Sequence, residues 1–268
     1  MSDSPALPDR SGSIYLGDAY KLLLGLPPDS VKLLLTDPPY NVGRANNLHT
    51  MGRSGFDFEW DGGFNQTSWL ALAAPAIMPG GSIVIWNDWK NLGEIALALK
   101  QLGFDPKRPL LWRKSNPIPR NRDRSFVQGH EFAIWAVKGG GSWTFHRRPN
   151  MGYERGEFSY PIQQKAAHPA KKPNGLFQEI IEILTDPGDL VLDPFAGEGT
   201  TAIASELTRR RHISFELDEK WYALALAALK LAQAEPKASM PKAPRRRRSP
   251  KTEATDGLDT SAALGTKP

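Results

Sequence analysis

An α/β fold with a mostly parallel sheet and helices on both faces is what this 268-residue sequence predicts. Three observations point there. Short apolar runs alternate with longer helical segments along most of the chain. Two of the runs, Val31–Thr36 and Leu190–Asp193, are nearly continuous in apolar residues, as strands covered on both faces should be. Each ends abruptly, at Asp37-Pro38-Pro39 and at Pro194-Phe195-Ala196-Gly197, because proline cannot continue a ladder.

Residues 1–12 read as a flexible arm, Ile14–Leu16 as a short strand and Ala19–Leu24 as a helical turn or two. After strand 31–36, residues 41–65 show no usable period and hold Gly43, Gly52, Gly55, Gly62 and Gly63. They predict a long mobile loop. Thr67 or Ser68 is placed to cap a helix to about Met78, which Pro79-Gly80-Gly81 should break before strand Ser82–Trp86. Asn91–Leu102 reads as a helix ended by Gly103. Leu110–Arg113 and Glu131–Val137 read as strands, and Gly139-Gly140-Gly141 as a turn toward a hairpin partner at Trp143–Phe145. Residues 146–167 are polar and irregular. Asn174 should cap a helix through Leu184, followed by strand 190–193, helix Thr200–Arg210, strand His212–Glu216 and helix Glu219–Ala232. From residue 234 the composition turns to Pro, Lys, Ala, Ser and Arg, with Arg245–Arg248 in the middle. That segment cannot bury enough apolar surface to order itself, so 234–268 is expected to be a disordered basic tail and 13–233 the folded domain.

Charge is unevenly spread. Net charge is +5, yet residues 105–172 hold 14 Lys/Arg against 5 Asp/Glu, while residues 173–233 hold 5 against 10. A basic middle between acidic flanks suits a phosphate-facing surface on a core with another task, although a solvated basic face has the same composition. No apolar run is long enough to span a bilayer and the N-terminus does not read as a secretory signal, so no membrane is expected. The chain has no cysteine, which excludes disulfides and thiolate zinc sites and suits a cytoplasmic protein. No metal is expected at the site.

Asp189–Asp193 and the following Pro194–Thr201 form a strand, a glycine turn and a helix start. In open α/β sheets, ligands sit beyond the carboxyl ends of strands at such turns. Gly197 and Gly199 let backbone approach a ligand closely, and Glu216 ends the next strand where a carboxylate can take both hydroxyls of a ribose. The turn lacks the Gly-x-Gly-x-x-Gly spacing of a dinucleotide site, and Glu198 would set a negative charge near a pyrophosphate. A cofactor bearing a sulfonium and an ammonium fits better. By itself the segment is also compatible with a structural turn.

Asp37-Pro38-Pro39-Tyr40 is the sharpest signal. An exocyclic base amine is a poor nucleophile because its lone pair is delocalised into the ring. A carboxylate oxygen of Asp37 and the Pro38 carbonyl can accept its two N–H bonds, draw the nitrogen toward tetrahedral geometry and free the lone pair. The prolines stiffen the backbone, and Tyr40 can stack on a base taken out of the duplex.

These residues resemble the circularly permuted β group of DNA amino-methyltransferases, the adenine-N6/cytosine-N4 type found in restriction–modification systems. The catalytic motif comes early and the Phe-x-Gly-x-Gly cofactor motif late, as in that group, and His168-Pro169-Ala170-Lys171-Lys172-Pro173 is similar to its His-Pro-x-x-Lys-Pro segment. The resemblance spans roughly residues 13–232. It implies a single domain with a seven-stranded-type methyltransferase sheet and a basic recognition insertion, and S-adenosylmethionine as cofactor. It implies that Lys172 meets the methionine carboxylate with His168 supporting it, that Phe195 packs near the cofactor and that Glu216 binds its ribose. Asp18, after Gly17, would contact the adenine amine of the cofactor, Asp193 and the backbone from Gly197 through Gly199 and Thr200 to Thr201 would line the methionine end, and Asp37 would also border the cofactor. His130-Glu131 is similar to a family segment near the target base. Glu198 departs from the small residue usual there, and Lys171 from a commonly neutral one.

The resemblance implies double-stranded DNA as substrate. Arg113, Lys114, Arg120, Arg122, Arg124, Arg147 and Arg148 are the expected contacts, interleaved with Asn116, Gln128, Trp112 and Trp143 in a target-recognition region at about 113–167. Phe56, Phe58, Trp60 and Phe64 in loop 41–65 would either wedge into the base stack or pack the loop down. The Arg245–Arg248 run reads as a nonspecific phosphate contact or as a solubilising tail. Asp at position 37 favours adenine N6 over cytosine N4. A noncatalytic DNA-binding protein on the same fold, and a nicotinamide-dependent enzyme, are the readings from other classes. A cognate restriction endonuclease and a homodimer are partners known in the group, and nothing in the sequence selects between them.

Overall fold

The computed structural model describes residues 12–40, 63–118, 123–124, 126–149, 151–162 and 171–234. The expected arm up to residue 11, most of loop 41–65 with Phe56, Phe58 and Trp60, the basic tail from residue 235, Arg120, Arg122 and His168 lie outside them. Among the described residues nine strands form one sheet: β1 (Ser13–Leu16), β2 (Val31–Thr36), β3 (Ile77–Asn87), β4 (Phe104–Pro106), β5 (Leu110–Lys114), β6 (His130–Lys138), β7 (Glu157–Tyr160), β8 (Leu190–Asp193) and β9 (Arg211–Glu216). Their order is β1-β9-β8-β2-β3-β6-β5-β7, with β4 paired to the far end of β6. The first five in that order are parallel; β6 runs antiparallel to β3, β4 and β5, and β7 lies parallel to β5. The α/β reading and the mostly parallel sheet are therefore as expected.

Alternation along the central strands builds two cores. Leu34, Ile83 and Ile85 face one layer with Trp69, Ile95 and Leu99, carried by or beside α2 (Leu70–Ala73) and α3 (Leu92–Gln101). Leu33, Leu35, Val84 and Trp86 face the other, against α4 (Asn174–Leu184). α4 buries Leu176, Phe177, Ile180, Ile181, Ile183 and Leu184, the spacing of one helical face. Each such side chain contributes about 1.5–3 kcal/mol by leaving water. α5 (Thr200–Leu207) and α6 (Glu219–Ala234) pack at the β8–β9 side, and the short α1 (Ala19–Leu22) follows β1. Among the described residues no helix is long and apolar enough to cross a membrane.

Several boundaries differ from expectation for identifiable reasons. The helix expected to reach Met78 is only α2 plus a 3-10 turn at Ala74–Ala76, because β3 already starts at Ile77. Pro79-Gly80-Gly81 lies inside β3, where its pairing with β2 shifts register between Val31 and Leu33. Gly80 holds φ +73°, and a Cβ there would fall 2.3 Å from the Ser142 carbonyl oxygen. The Trp143–Phe145 partner strand is absent, while β4 and β7 were not anticipated: each is held by one buried aromatic ring, Phe104 and Phe158, without an apolar run. Thr67 and Ser68 do not cap; the Asn65 side chain accepts from both of their N–H groups. Pro173, not Asn174, occupies the cap of α4, and Gly199 occupies that of α5.

Gly80→Ala should lower stability by about 2–4 kcal/mol, combining left-handed backbone strain with the clash. Urea unfolding checks this, with an unchanged midpoint as the contrary result.

Candidate active site

The site lies where β2 and β8 end side by side. Leu33 and Leu34 register with Val191 and Leu192, so Asp37 and Asp193 emerge at one edge of the sheet. Thr36 Oγ1 donates to Asp193 Oδ1 at 2.6 Å, and the same oxygen accepts from Phe195 N at 3.0 Å. Thr201 Oγ1 reaches the Leu35 carbonyl at 3.2 Å. The early and late motifs, 157 residues apart, are thus one constellation. Asp193 is buried, and burial pushes its carboxyl up to about 6, with the Thr201 and Thr36 hydroxyls and the Phe195 N–H opposing that rise.

The glycine turn wraps on Glu216. Gly197 and Gly199 take φ +52° and +77°, conformations L side chains avoid. Gly197 N donates to Glu216 Oε2 at 2.7 Å and Asp218 N to Oε1 at 2.9 Å. Asp18 stands beside it, because β1 pairs with β9 through Leu16 and Glu216; its carboxylate caps α1 by accepting from Tyr20 N at 2.9 Å. Phe195 is held edge-on between Phe64 and Trp69, with ring centroids 5.3 and 5.2 Å away. Of the expected loop aromatics, Phe64 therefore packs the chain down. Glu198 pairs with Lys171 at 2.8 Å, so the two residues that depart from the family pattern meet each other.

At the catalytic motif, Tyr40 Oη donates to Asp37 Oδ1. Lys172 Nζ lies 2.5 Å from Asp37 Oδ2 and 3.0 Å from Tyr40 Oη. The structure thus puts Lys172 against the Asp37 carboxylate, where the resemblance implied the methionine carboxylate of the cofactor. Glu131 completes the cluster: its Oε2 is 3.0 Å from Lys172 Nζ and its Oε1 is 2.7 Å from Lys114 Nζ. The Lys172 contact is an ion pair off the hydrogen-bond direction, since Glu131 Oε2 makes no hydrogen bond of normal geometry. Burial raises the Asp37 carboxyl above its usual range although Lys172 pulls against it. Burial also opposes the Lys172 ammonium, but Asp37 and Glu131 more than offset it and hold its pKa above normal. The Glu131 carboxyl is raised by burial and pulled lower overall by Lys172 and Lys114. Burial, then the Asp37 charge, pushes the Tyr40 phenol well above its ordinary value, so it remains protonated.

Three amides behind the motif carried no sequence signal. Gln66 Nε2 donates to the Pro39 carbonyl at 2.8 Å, and Asn87 Nδ2 to Gln66 Oε1 at 2.7 Å. Asn91 Nδ2 donates to Asn87 Oδ1 at 2.7 Å and to the Tyr40 carbonyl at 3.0 Å. Glu131 had only a weak family signal, next to His130.

The basic segment divides on inspection. Lys114 turns inward to Glu131, and Arg148 is bound by Glu154 and Glu179. Arg113 pairs with Glu157 but stays about half exposed, Arg147 donates to the Gly152 carbonyl, and Arg124 is exposed. Trp112 is buried with its indole N–H on the Tyr160 carbonyl, and Asn116 accepts from Ile162 N. Trp143 is half exposed beside Lys107. Of the expected surface, Arg113, Arg124, Arg147 and Trp143 face outward.

Comparison with known proteins agrees with this geometry. The N6/N4 methyltransferase family, described as DNA methylase, matches residues 31–227. The Type II methyltransferase M2.DpnII of Streptococcus pneumoniae is 29% identical over 230 residues, covering 78% of this chain and 85% of its own. The crystal structure of the M1.HpyAVI–SAM complex superposes with a TM-score of 0.66 at 34% identity, covering 80% of this chain and 98% of the other. The cytosine-N4-specific PvuII DNA methyltransferase shares the fold with a TM-score of 0.66 at 20% identity, over 82% and 86% of the two chains.

Asp193 gives a signed pH prediction. Its carboxyl sits at about 6 in the folded protein against an ordinary 3.8, so the folded state binds its proton more tightly between those values. Stability is then lost as pH rises through that window and the cost is complete above it. Asp193→Asn lacks this cost, so from pH 4 to pH 7 its stability relative to the parent should improve by about 2–3 kcal/mol. Urea titrations of both proteins across the window check it; a constant difference contradicts the assignment.

Proposed function

The chain belongs to the N6/N4 family of DNA methylases, and we propose that it methylates the exocyclic N6 amine of adenine in a flipped-out base of a specific duplex DNA site. The observation that carries this reading is the Thr36–Asp193 bond, which seats the Asp37–Tyr40 motif beside the glycine turn. Asp at position 37 supports adenine over cytosine N4.

The methyl donor is S-adenosylmethionine, the ligand of the solved M1.HpyAVI complex. The residues present fit that group: Asp18, Asp193 and Glu216 make the turn acidic, and the left-handed Gly197 and Gly199 bare its backbone. Hydroxyls and cations suit such a surface and a pyrophosphate does not. Glu216 and Asp18 would hold the adenosine part, while Phe195 and the backbone from Gly197 to Thr201 would line the methionine end. When bound, the cofactor supplies an electrophilic methyl group on a sulfonium.

The chain's own residues prepare the amine. Both Asp37 oxygens are engaged, one by Tyr40 and one by Lys172. As the Tyr40 ring turns to stack on the incoming base, its hydroxyl releases Oδ1, which then accepts an amine N–H while the Pro38 carbonyl accepts the other. Lys172, kept charged by Glu131, holds Oδ2 and keeps the buried carboxylate ionised as positive charge develops on the nitrogen. Arg113, Arg124 and Arg147, with the 113–167 region around them, would face the DNA.

Expression in a methylation-deficient bacterium, followed by mass spectrometry of the digested genomic DNA, tests the reading. N6-methyladenine is expected; N4-methylcytosine in its place would overturn the choice of base, and neither product would overturn the function.

A further inference from the structure

We propose that Gln66, backed by Asn87 and Asn91, is the positioning element of the catalytic backbone, an inference that rests on the methyltransferase reading above. β2 ends at Thr36 and the next residues include two prolines, so the carbonyls of Pro39 and Tyr40 lie beyond the sheet ladder and need donors from elsewhere. Side chains from different elements supply them. Gln66, ahead of α2, takes the Pro39 carbonyl, and Asn91, ahead of α3, takes the Tyr40 carbonyl, with Asn87 at the end of β3 joining the two.

The chain of amides has a single direction. Asn87 Oδ1 accepts from Asp88 N at 2.9 Å and from Asn91 Nδ2, so Asn87 Nδ2 must point toward Gln66. Gln66 Oε1 is thereby the acceptor, and its Nε2 is left to face the Pro39 carbonyl. Gln66 and Asn87 are 5% and 2% exposed. A buried polar chain with every link made is rigid, and breaking one link orphans its neighbours.

The same segment also touches the cofactor turn. Phe64 and Trp69, two residues before and three after Gln66, flank the Phe195 ring. Residues 64–69 are therefore fastened at one point to the glycine turn and at another to the catalytic backbone, and Gln66 sets the register between methyl donor and amine. A displacement near 1 Å from such a registry can cost on the order of 10²-fold in rate.

The test compares purified wild type, Gln66→Leu and Gln66→Glu for single-turnover transfer of labelled methyl from S-adenosylmethionine to genomic DNA of a methylation-deficient bacterium. Gln66→Leu should transfer at least about tenfold more slowly while its cofactor Kd stays within about threefold and its melting temperature, though lowered, stays well above the assay temperature. Gln66→Glu keeps the shape and the acceptor but donates only when protonated, so its rate should climb toward wild type as pH falls, unlike the wild-type profile. If Gln66→Leu folds poorly, Asn91→Ala, at the half-buried end of the chain, carries the same comparison. Wild-type rates in these variants, or a slow Gln66→Glu that follows the wild-type pH profile, overturn the proposal. An inert wild type overturns the methyltransferase reading itself.

Discussion

Parallel pairing of β2 with β8, closed at its end by the Thr36–Asp193 hydrogen bond, is the constraint on which the site depends. Each strand is followed by a break containing proline, and each break carries one of the two motifs. Without the pairing, Asp37-Pro38-Pro39-Tyr40 and Pro194–Thr201 are two unrelated turns. With it, Asp37, proposed to hold the amine, and the turn proposed to hold the methyl donor share one edge of the sheet. The burial that makes the bond strong also holds Asp193 at an unfavourable ionisation, so stability is given up at the point where the two halves join.

Electrostatics in the site follow an alternating series: Asp37, Lys172, Glu131, Lys114. Buried ion pairs contribute little net stability, but removing one member leaves a charge uncompensated, typically at about 3–5 kcal/mol. The series therefore works as a specification of arrangement. It holds the Lys172 pKa above normal, and Lys172 in turn opposes the burial that raises the Asp37 carboxyl. The Lys171–Glu198 pair repeats the pattern beside it, tying the segment before α4 to the glycine turn.

Much of this was legible because it obeys local rules. The apolar runs of β2, β3 and β8 announce strands covered on both faces, and α4 announces its buried face by spacing. The Asp37–Tyr40 and Pro194–Thr201 motifs carry their chemistry in contiguous residues. What escaped depends on contacts distant in sequence. Gln66, Asn87 and Asn91 are ordinary amides until the fold lines them up. Counting charge between 105 and 172 does not reveal direction, so Lys114 and Arg148 read as DNA contacts although acidic neighbours claim them. Pro79-Gly80-Gly81 reads as a break because its reason, the close approach of Ser142, lies 62 residues beyond Gly80. β7 is hidden for the same reason, needing β5 to pair with.

On the proposed mechanism Asp37 acts on the amine while the neighbouring turn independently holds the methyl donor. Single-turnover methyl transfer and calorimetric binding of S-adenosylmethionine, measured on one preparation of Asp37→Ala, separate the two functions. Transfer should fall by at least about 10³-fold while cofactor Kd stays within about threefold. Transfer retained at the wild-type rate would contradict it.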